Sequence, residues 1–515
     1  MRRRGGAAVR VTLVEPRAPL QATSQFSTEC YRDFFVDTAL VPFMSRSVSL
    51  LEELAETDDA INLNRRGYCF FAGSDAGTKA LERFGVQASS FGAGPLRRHD
   101  GSAGRGLAEY ERSCQGTPLR KRVSRKTGRF GSWEPTGVHH EWTTSVAVRY
   151  QAFFCPAGSG CHDPHPNLVV NLEYGTLDAE RRRRSPANGF RGPTGLDLVY
   201  GPELIQEIYP FVTSKAQVML HARRCGWLDA QALGRAMLTA SGGQVLRGEV
   251  VGFDTHQGAV TAVQVQQNDG VAVSLKCDAF VNAAGAWMER VNKLLEAPPL
   301  PLKNEVHAKV ILNDVQGVIP QTAPFMVWRD QVDLDWEEDM KEFLLELDDT
   351  ATGGMVNSAS WLAKQPGGQH LRPCGNGRVL LLWEHLHRHV PVPEDPEMPI
   401  SDFLEMYPEL CVRGLKEMVP GLGGYVEGLG KDTSVDGGYY TVMPDGRPLV
   451  SPHGASNAYV CGGMGTYGLM GSPAAGELLA MHLLQEPLPS YADACLWPRR
   501  SVPEEEVIDL LDESS

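Results

Sequence analysis

Val281-Asn282-Ala283-Ala284-Gly285-Ala286-Trp287 is the stretch whose reading decides the fold. Ala279 to Asn282 predicts a short strand, Ala283 to Ala286 are all small, and Trp287 opens a helical pattern. Small residues let a backbone come close to a flat or phosphorylated ligand, and Gly285 permits positive φ. An ordinary strand-to-helix turn has the same composition. The stretch gains meaning from its company, at Glu15 and around Gly462 to Gly476.

Just upstream, Gln244 to Phe253, Val260 to Gln266 and Val271 to Leu275 predict successive strands separated by Gly and Asp turns. Before them, Asp229 is a natural N-cap for a helix carrying Leu233, Met237 and Leu238. Near the start, Val9 to Val14 is a β-branched run ending in Glu15. A carboxylate there suits the second strand of a dinucleotide-binding βαβ unit, where it accepts hydrogen bonds from ribose hydroxyls. Ala22 to Arg32 is hydroxyl-rich and apt for a loop facing a ligand, although Ser and Thr also favour plain caps. Apolar residues from Leu40 to Leu54 recur at helical spacing, and a strand follows at Tyr68 to Phe71.

Downstream, Lys303 to about Glu427 is mixed. Strands are predicted at Val306 to Leu312, Phe325 to Arg329 and Arg378 to Glu384, and a helix at Ser401 to Met418. The strand Ala458 to Cys461 then enters Gly462-Gly463-Met464-Gly465-Thr466-Tyr467-Gly468, followed by a helix from Ser472 to Leu484. A glycine-dense turn opening a helix aims free N–H groups and the positive dipole end at an acceptor.

The chain has 515 residues and net charge -14, which argues against nucleic acid as the main partner. No apolar run reaches the roughly 18 residues of a membrane span. Eleven scattered cysteines suit reduced thiols and an intracellular location. Arg97 to Arg129 holds ten Lys or Arg against three acidic residues. Roughly 89–195 therefore reads as an irregular basic insertion with little apolar surface to bury. Within it, Cys155, Cys161, His162 and His165 lack the paired spacing of structural zinc sites, so no metal is expected.

The strand ending in Glu15, the Val281 to Trp287 stretch and the Gly438 to Gly476 block, in that order, resemble the FAD-dependent oxidoreductases of the D-amino-acid oxidase (DAO) superfamily, on its sarcosine oxidase and dimethylglycine dehydrogenase side. The resemblance implies an α/β (α+β overall) architecture: a Rossmann-like FAD-binding domain with an interposed smaller mixed-sheet substrate domain. The FAD-binding parts would be 1–88, 196–302 and 431–490, the substrate domain 303–430, and 491–515 an acidic tail.

It implies that Glu15 holds the adenosine ribose, Ser24, Ser27 and Thr28 line the pyrophosphate and flavin, and Val250 packs near the adenine. Ala284, Gly285, Ala286 and Trp287 would pass close to the cofactor. Gly465, Gly468, Leu469 and Met470 would bring N–H groups to the flavin ring. The implied reaction is hydride transfer from a C–H beside an amine nitrogen of an amino acid or N-methylated amine, with oxygen or another acceptor reoxidising the flavin. Arg32, Arg329 and Arg447 are candidate carboxylate partners, and Tyr440 and His385 candidates for orienting the amine.

The sequence departs from the pattern twice. Gly438 stands where sarcosine oxidases carry a flavin-bonding cysteine, so FAD would be held non-covalently. Only Met1 to Ala8 precede the Glu15 strand, where the family has a strand and a G-x-G-x-x-G turn. Truncation is the favoured explanation, because the other cofactor-facing motifs read as intact. The alternative is a catalytically inactive scaffold or assembly factor of the same fold.

Overall fold

A computed structural model describes residues 10–35, 37–57, 61–100, 106–108, 193–346, 358–386, 388–390, 400 and 403–498. The Cys155–His165 cluster lies outside them, as does the tail beyond 498.

Short parallel pairs form one layer. Thr12–Val14 pairs with Gln244–Leu246, and Phe280–Asn282 pairs with Ala458–Gly462, which Leu449–Pro452 flanks antiparallel. The three predicted β-rich runs after Gln244 become a meander of Gly248–His256, Ala259–Gln267 and Ala272–Lys276. Its buried Val260, Val263 and Val265 pack with Val14, Leu246, Phe280 and Ala458. One meander thus covers both parallel pairs, and irregularities in its central strand between Val260 and Ala262 and between Gln264 and Val265 bring residues three apart to the same core. Asp229 caps the helix Ala230–Ser241 as expected, its Oδ1 accepting the Ala232 N–H at 2.7 Å.

The second layer is a ten-stranded mixed sheet. Its order runs from Arg388–Val390 through Lys303–Asn313, Arg378–Leu382, His370–Gly375, Phe325–Trp328, Tyr68–Ala72, Val218–Ala222 and Leu196–Tyr200 to Leu96–His99. Thr433–Val442 also pairs with Lys303–Asn313. Two corrections follow. Tyr68–Ala72, every residue buried, lies beside Phe325–Trp328, so this sheet takes in strands from both sides of the boundaries 303–430. Leu96–His99 pairs parallel with Leu196–Tyr200, so order extends past residue 89 and the two ends of the insertion are brought side by side.

The helix expected over 401–418 is described only as Tyr407–Leu415. The closing helix starts at Gly468 and contains Pro473. Proline has no N–H to give the Leu469 carbonyl, and the Ser472 hydroxyl donates to that oxygen at 2.9 Å instead. None of the described helices is long and apolar enough to cross a membrane.

Gly67 makes the turn into the central strand at φ 85°. A Cβ there would lie 2.1 Å from His221 Nε2 and 2.6 Å from the Ala222 carbonyl oxygen. Gly67→Ala is expected to lower stability by about 2–3 kcal/mol through left-handed strain and overlap, measured as a reduced urea midpoint at unchanged m-value.

Candidate active site

A cavity of about 360 Å³ opens where the ten-stranded sheet meets the hydroxyl-rich loop and the start of the closing helix. Side chains two apart on a strand share a face, and Glu305, His307 and Lys309 all line it. Across the register, Glu305 faces Tyr440 and Lys309 faces Asp436, while Gly438 lies opposite His307. The His307 ring stacks on Tyr440, centroids 4.2 Å apart at 10°, and its Nε2 is 2.9 Å from Glu305 Oε2. Lys309 pairs with Asp436 and donates to the Phe26 carbonyl at 2.6 Å. Burial lowers the Lys309 pKa and Asp436 opposes that shift. Burial also raises the Tyr440 pKa, so its hydroxyl stays protonated.

The lining also has a cationic and aromatic part. Arg32 is 3% exposed, with its guanidinium 4.7 Å from the Phe35 ring centroid, 5.3 Å from that of Phe34 and 5.7 Å from that of Tyr467. His370, also on the lining, is pushed down to about 4 by burial, opposed by the Gly368 carbonyl. Its Nδ1 lies 2.7 Å from that oxygen, so the neutral ring donates to it.

Of the residues singled out in the sequence, the cavity gathers Thr28, Arg32, His385, Tyr440 and Met470. Arg447 is engaged elsewhere, its Nε and a terminal nitrogen 2.7 and 3.1 Å from the Asp37 carboxylate. Neither it nor Arg329 is on the lining. Glu305, His307 and Lys309 were not singled out, although charged residues at every second position of a predicted strand were a visible signal.

The remaining expected residues surround the parallel layer. The Glu15 N–H donates to the Leu246 carbonyl, and its Oε1 accepts the Arg17 N–H at 3.1 Å. Burial raises the Glu15 pKa, with Arg17 opposing. Arg17 lies 5.5 Å from the Trp287 ring centroid, which brings the ends of the first strand and of Phe280–Asn282 together. Gly285 has φ 56°, with open space where a Cβ would stand. Asn282 fixes this turn, accepting the Ala284 N–H and donating to the Met288 carbonyl and Asn292. The Asn304 amide donates to the Ala286 carbonyl.

Gly465, at φ 52°, opens the turn Gly465–Tyr467, and neither it nor the following Gly468–Leu483 helix has a side-chain cap. The Met470 carbonyl, one residue beyond Leu469, accepts from Ser47 at 2.6 Å. A Cβ at Gly438 would stand 3.1 Å from Thr23 Cγ2, so glycine there lets the strand pass the loop. Ser24 lies in the turn Thr23–Phe26, and Ser27 Oγ accepts the Glu29 N–H. Val250 pairs with Val265 and packs among the residues beneath the meander.

Residues 157–335 match a family model described as DAO, FAD dependent oxidoreductase. Over those residues the chain is similar to the DAO family of FAD-dependent oxidoreductases. The match begins inside the stretch read as a basic insertion and includes Val281 to Trp287, but not the Glu15 strand or the Gly438 to Gly476 block. Comparison with curated proteins gives no match. In fold, the chain is similar to L-proline dehydrogenase from P. horikoshii, with a TM-score of 0.57 and 15% identity, covering 94% of this chain and 90% of that one. It is also similar to glycine oxidase from Geobacillus kaustophilus, with a TM-score of 0.54 and 13% identity over 93% and 89% of the two chains. FAD-bound L-alpha-glycerophosphate oxidase from Mycoplasma pneumoniae gives a TM-score of 0.51 and 13% identity over 95% and 92%.

The donor set fits FAD at two ends. The half-buried Glu15 carboxylate at a strand terminus suits ribose hydroxyls, and the open turn at Gly285 with the uncapped Gly465–Met470 segment suits a flat, electron-accepting ring.

Proposed function

We propose that the protein is an FAD-dependent oxidoreductase that oxidises the carbon–nitrogen bond of an amino acid or N-methylated amine. The observation that carries this reading is the buried Arg32 lining one cavity together with Glu305, His307 and Tyr440. A guanidinium matches a carboxylate, and the Glu305 carboxylate on the same lining offers acceptors for an amine. FAD, when bound, supplies the hydride acceptor. Arg32 binds and orients the carboxylate, the protonated Tyr440 hydroxyl offers a fixed polar contact, and the aromatic rings around Arg32 exclude water from that ion pair. Gly438 at the Thr23 contact has no sulfur to bond a flavin, which favours non-covalent FAD. The names of the structural relatives, a proline dehydrogenase and a glycine oxidase, support small amino acids as the substrate class.

The test is to titrate the purified chain with FAD, then mix it anaerobically with glycine, N-methylglycine and proline. Saturable binding followed by bleaching of flavin absorbance is expected. No saturable FAD binding would overturn the reading. Binding without reduction by any amine would support the inactive scaffold instead.

A further inference from the structure

The loop from Thr23 to Glu29, which the reading above places along FAD, is held from the ten-stranded sheet at three points. The Thr23 hydroxyl donates to the Tyr439 carbonyl at 2.9 Å, and Lys309 donates to the Phe26 carbonyl. The third point is Arg372, on His370–Gly375 and 2% exposed. Its Nε and one terminal nitrogen donate to the Thr28 carbonyl at 2.9 and 2.7 Å, and that same nitrogen donates to Glu29 Oε2 at 3.0 Å. The other terminal nitrogen reaches the Pro373 carbonyl at 3.1 Å, and the guanidinium lies 5.3 Å from the Trp227 ring centroid.

Glu29 sits at φ 63°, a left-handed conformation that L-residues keep only when their surroundings dictate it. Here they do. Its N–H donates to Ser27 Oγ, its carbonyl accepts from Leu228, and its Oε1 accepts the Ala230 N–H. Cys30 Sγ gives the Thr28 carbonyl a further donor at 3.2 Å. In a trans peptide the carbonyl and the next N–H point opposite ways. Drawing the Thr28 oxygen to the guanidinium therefore turns the Glu29 N–H back onto Ser27, while Thr28 lines the cavity with Tyr440. One buried cation thus sets the loop's backbone and, through it, the hydroxyls of Ser27 and Thr28.

We propose that Arg372 is a positioning residue, a clamp from the substrate-side sheet that fixes the conformation of the 23–29 loop for cofactor and substrate. The inference rests on the FAD reading for its functional consequence but not for its structural one. The test compares full-chain Arg372→Met, Arg372→Lys and Glu29→Gln by amide hydrogen exchange and by FAD titration. In Arg372→Met, amides of residues 24–31 should exchange about ten- to hundredfold faster, the range expected for lost charge-assisted hydrogen bonds. Amides of Tyr68–Ala72 and Val218–Ala222 should keep wild-type protection. FAD affinity should fall by a similar factor, Arg372→Lys should be intermediate, and Glu29→Gln should be mildest because the Thr28 carbonyl keeps its partners. Wild-type loop exchange in Arg372→Met, or equal acceleration across the sheet, would overturn the clamp. If Arg372→Met does not fold, loop-confined acceleration in Arg372→Lys and Glu29→Gln supports the clamp and its absence overturns it. If the wild type binds no FAD, the FAD reading fails while the exchange data still decide the clamp.

Discussion

Asp197→Asn is expected to destabilise the protein by about 3–5 kcal/mol at neutral pH, the usual cost of breaking a buried ion pair from one side. Asp197 is fully buried. Its Oδ1 lies 2.5 Å from Arg97 Nε and 2.8 Å from His99 Nε2, and its Oδ2 accepts from Arg97 at 3.1 Å and from Arg223 Nε. The amide keeps the shape but removes the charge, leaving buried Arg97 and Arg223 without their counter-ion. Burial alone would raise the Asp197 pKa, but Arg223, His99 and Arg97 outweigh it and hold the carboxyl well below its ordinary value of 3.8. With the folded pKa below the unfolded one, this stabilisation is fully present above about 3.8 and is lost as pH falls through the folded value. Urea unfolding should therefore show a large gap between wild type and Asp197→Asn at pH 7 that narrows below pH 4. A gap that is small at pH 7, or constant into acid, would show that the cluster does not work this way.

His370 loses stability over a different range. Its folded pKa of about 4 lies below the ordinary histidine value of 6.5, so neutral burial contributes fully above 6.5 and is lost as pH falls toward 4. Wild-type stability should decline in two stages, first through the His370 range and then through that of Asp197. Asp197→Asn should remove only the lower stage.

What the sequence made legible was local. The small-residue turn at Ala284–Trp287, the Asp229 cap and the meander strands are each specified by neighbours within a few residues, and the structure has them where expected. The large sheet was harder because its pairings are long-range. Tyr68–Ala72 reads as a buried strand, but nothing in those residues says that Phe325–Trp328 will lie beside it. The candidate site shows the same division. Arg32 and Arg447 look equivalent in sequence, each near aromatic or glycine residues. Asp37, 410 positions from Arg447, engages one of them away from the cavity, while Phe34, Phe35 and Tyr467 hold the other on its wall. Arg372 had no local signature, because its partners Thr28 and Glu29 are more than 340 residues away.

The second large effect is expected at Arg32. Methionine in its place keeps an unbranched apolar stem against Phe34, Phe35 and Tyr467 while deleting the charge. If Arg32 pairs with the substrate carboxylate in this low-dielectric wall, losing one partner should cost about 3–4 kcal/mol of binding. That lowers kcat/KM for N-methylglycine or proline about hundred- to thousandfold. Arg32→Lys keeps a cation but not the two-pronged geometry and should fall between. The decisive comparison is an amine of similar size without a carboxylate, for which the wild type should be poor and Arg32→Met scarcely poorer. Equal losses for both substrates would mean that Arg32 shapes the cavity without reading the carboxylate. A parallel fall in thermal stability would reduce its role to packing among the three rings. Binding of acetate by calorimetry gives the same answer without turnover, since a carboxylate alone should bind the wild type measurably and Arg32→Met not at all.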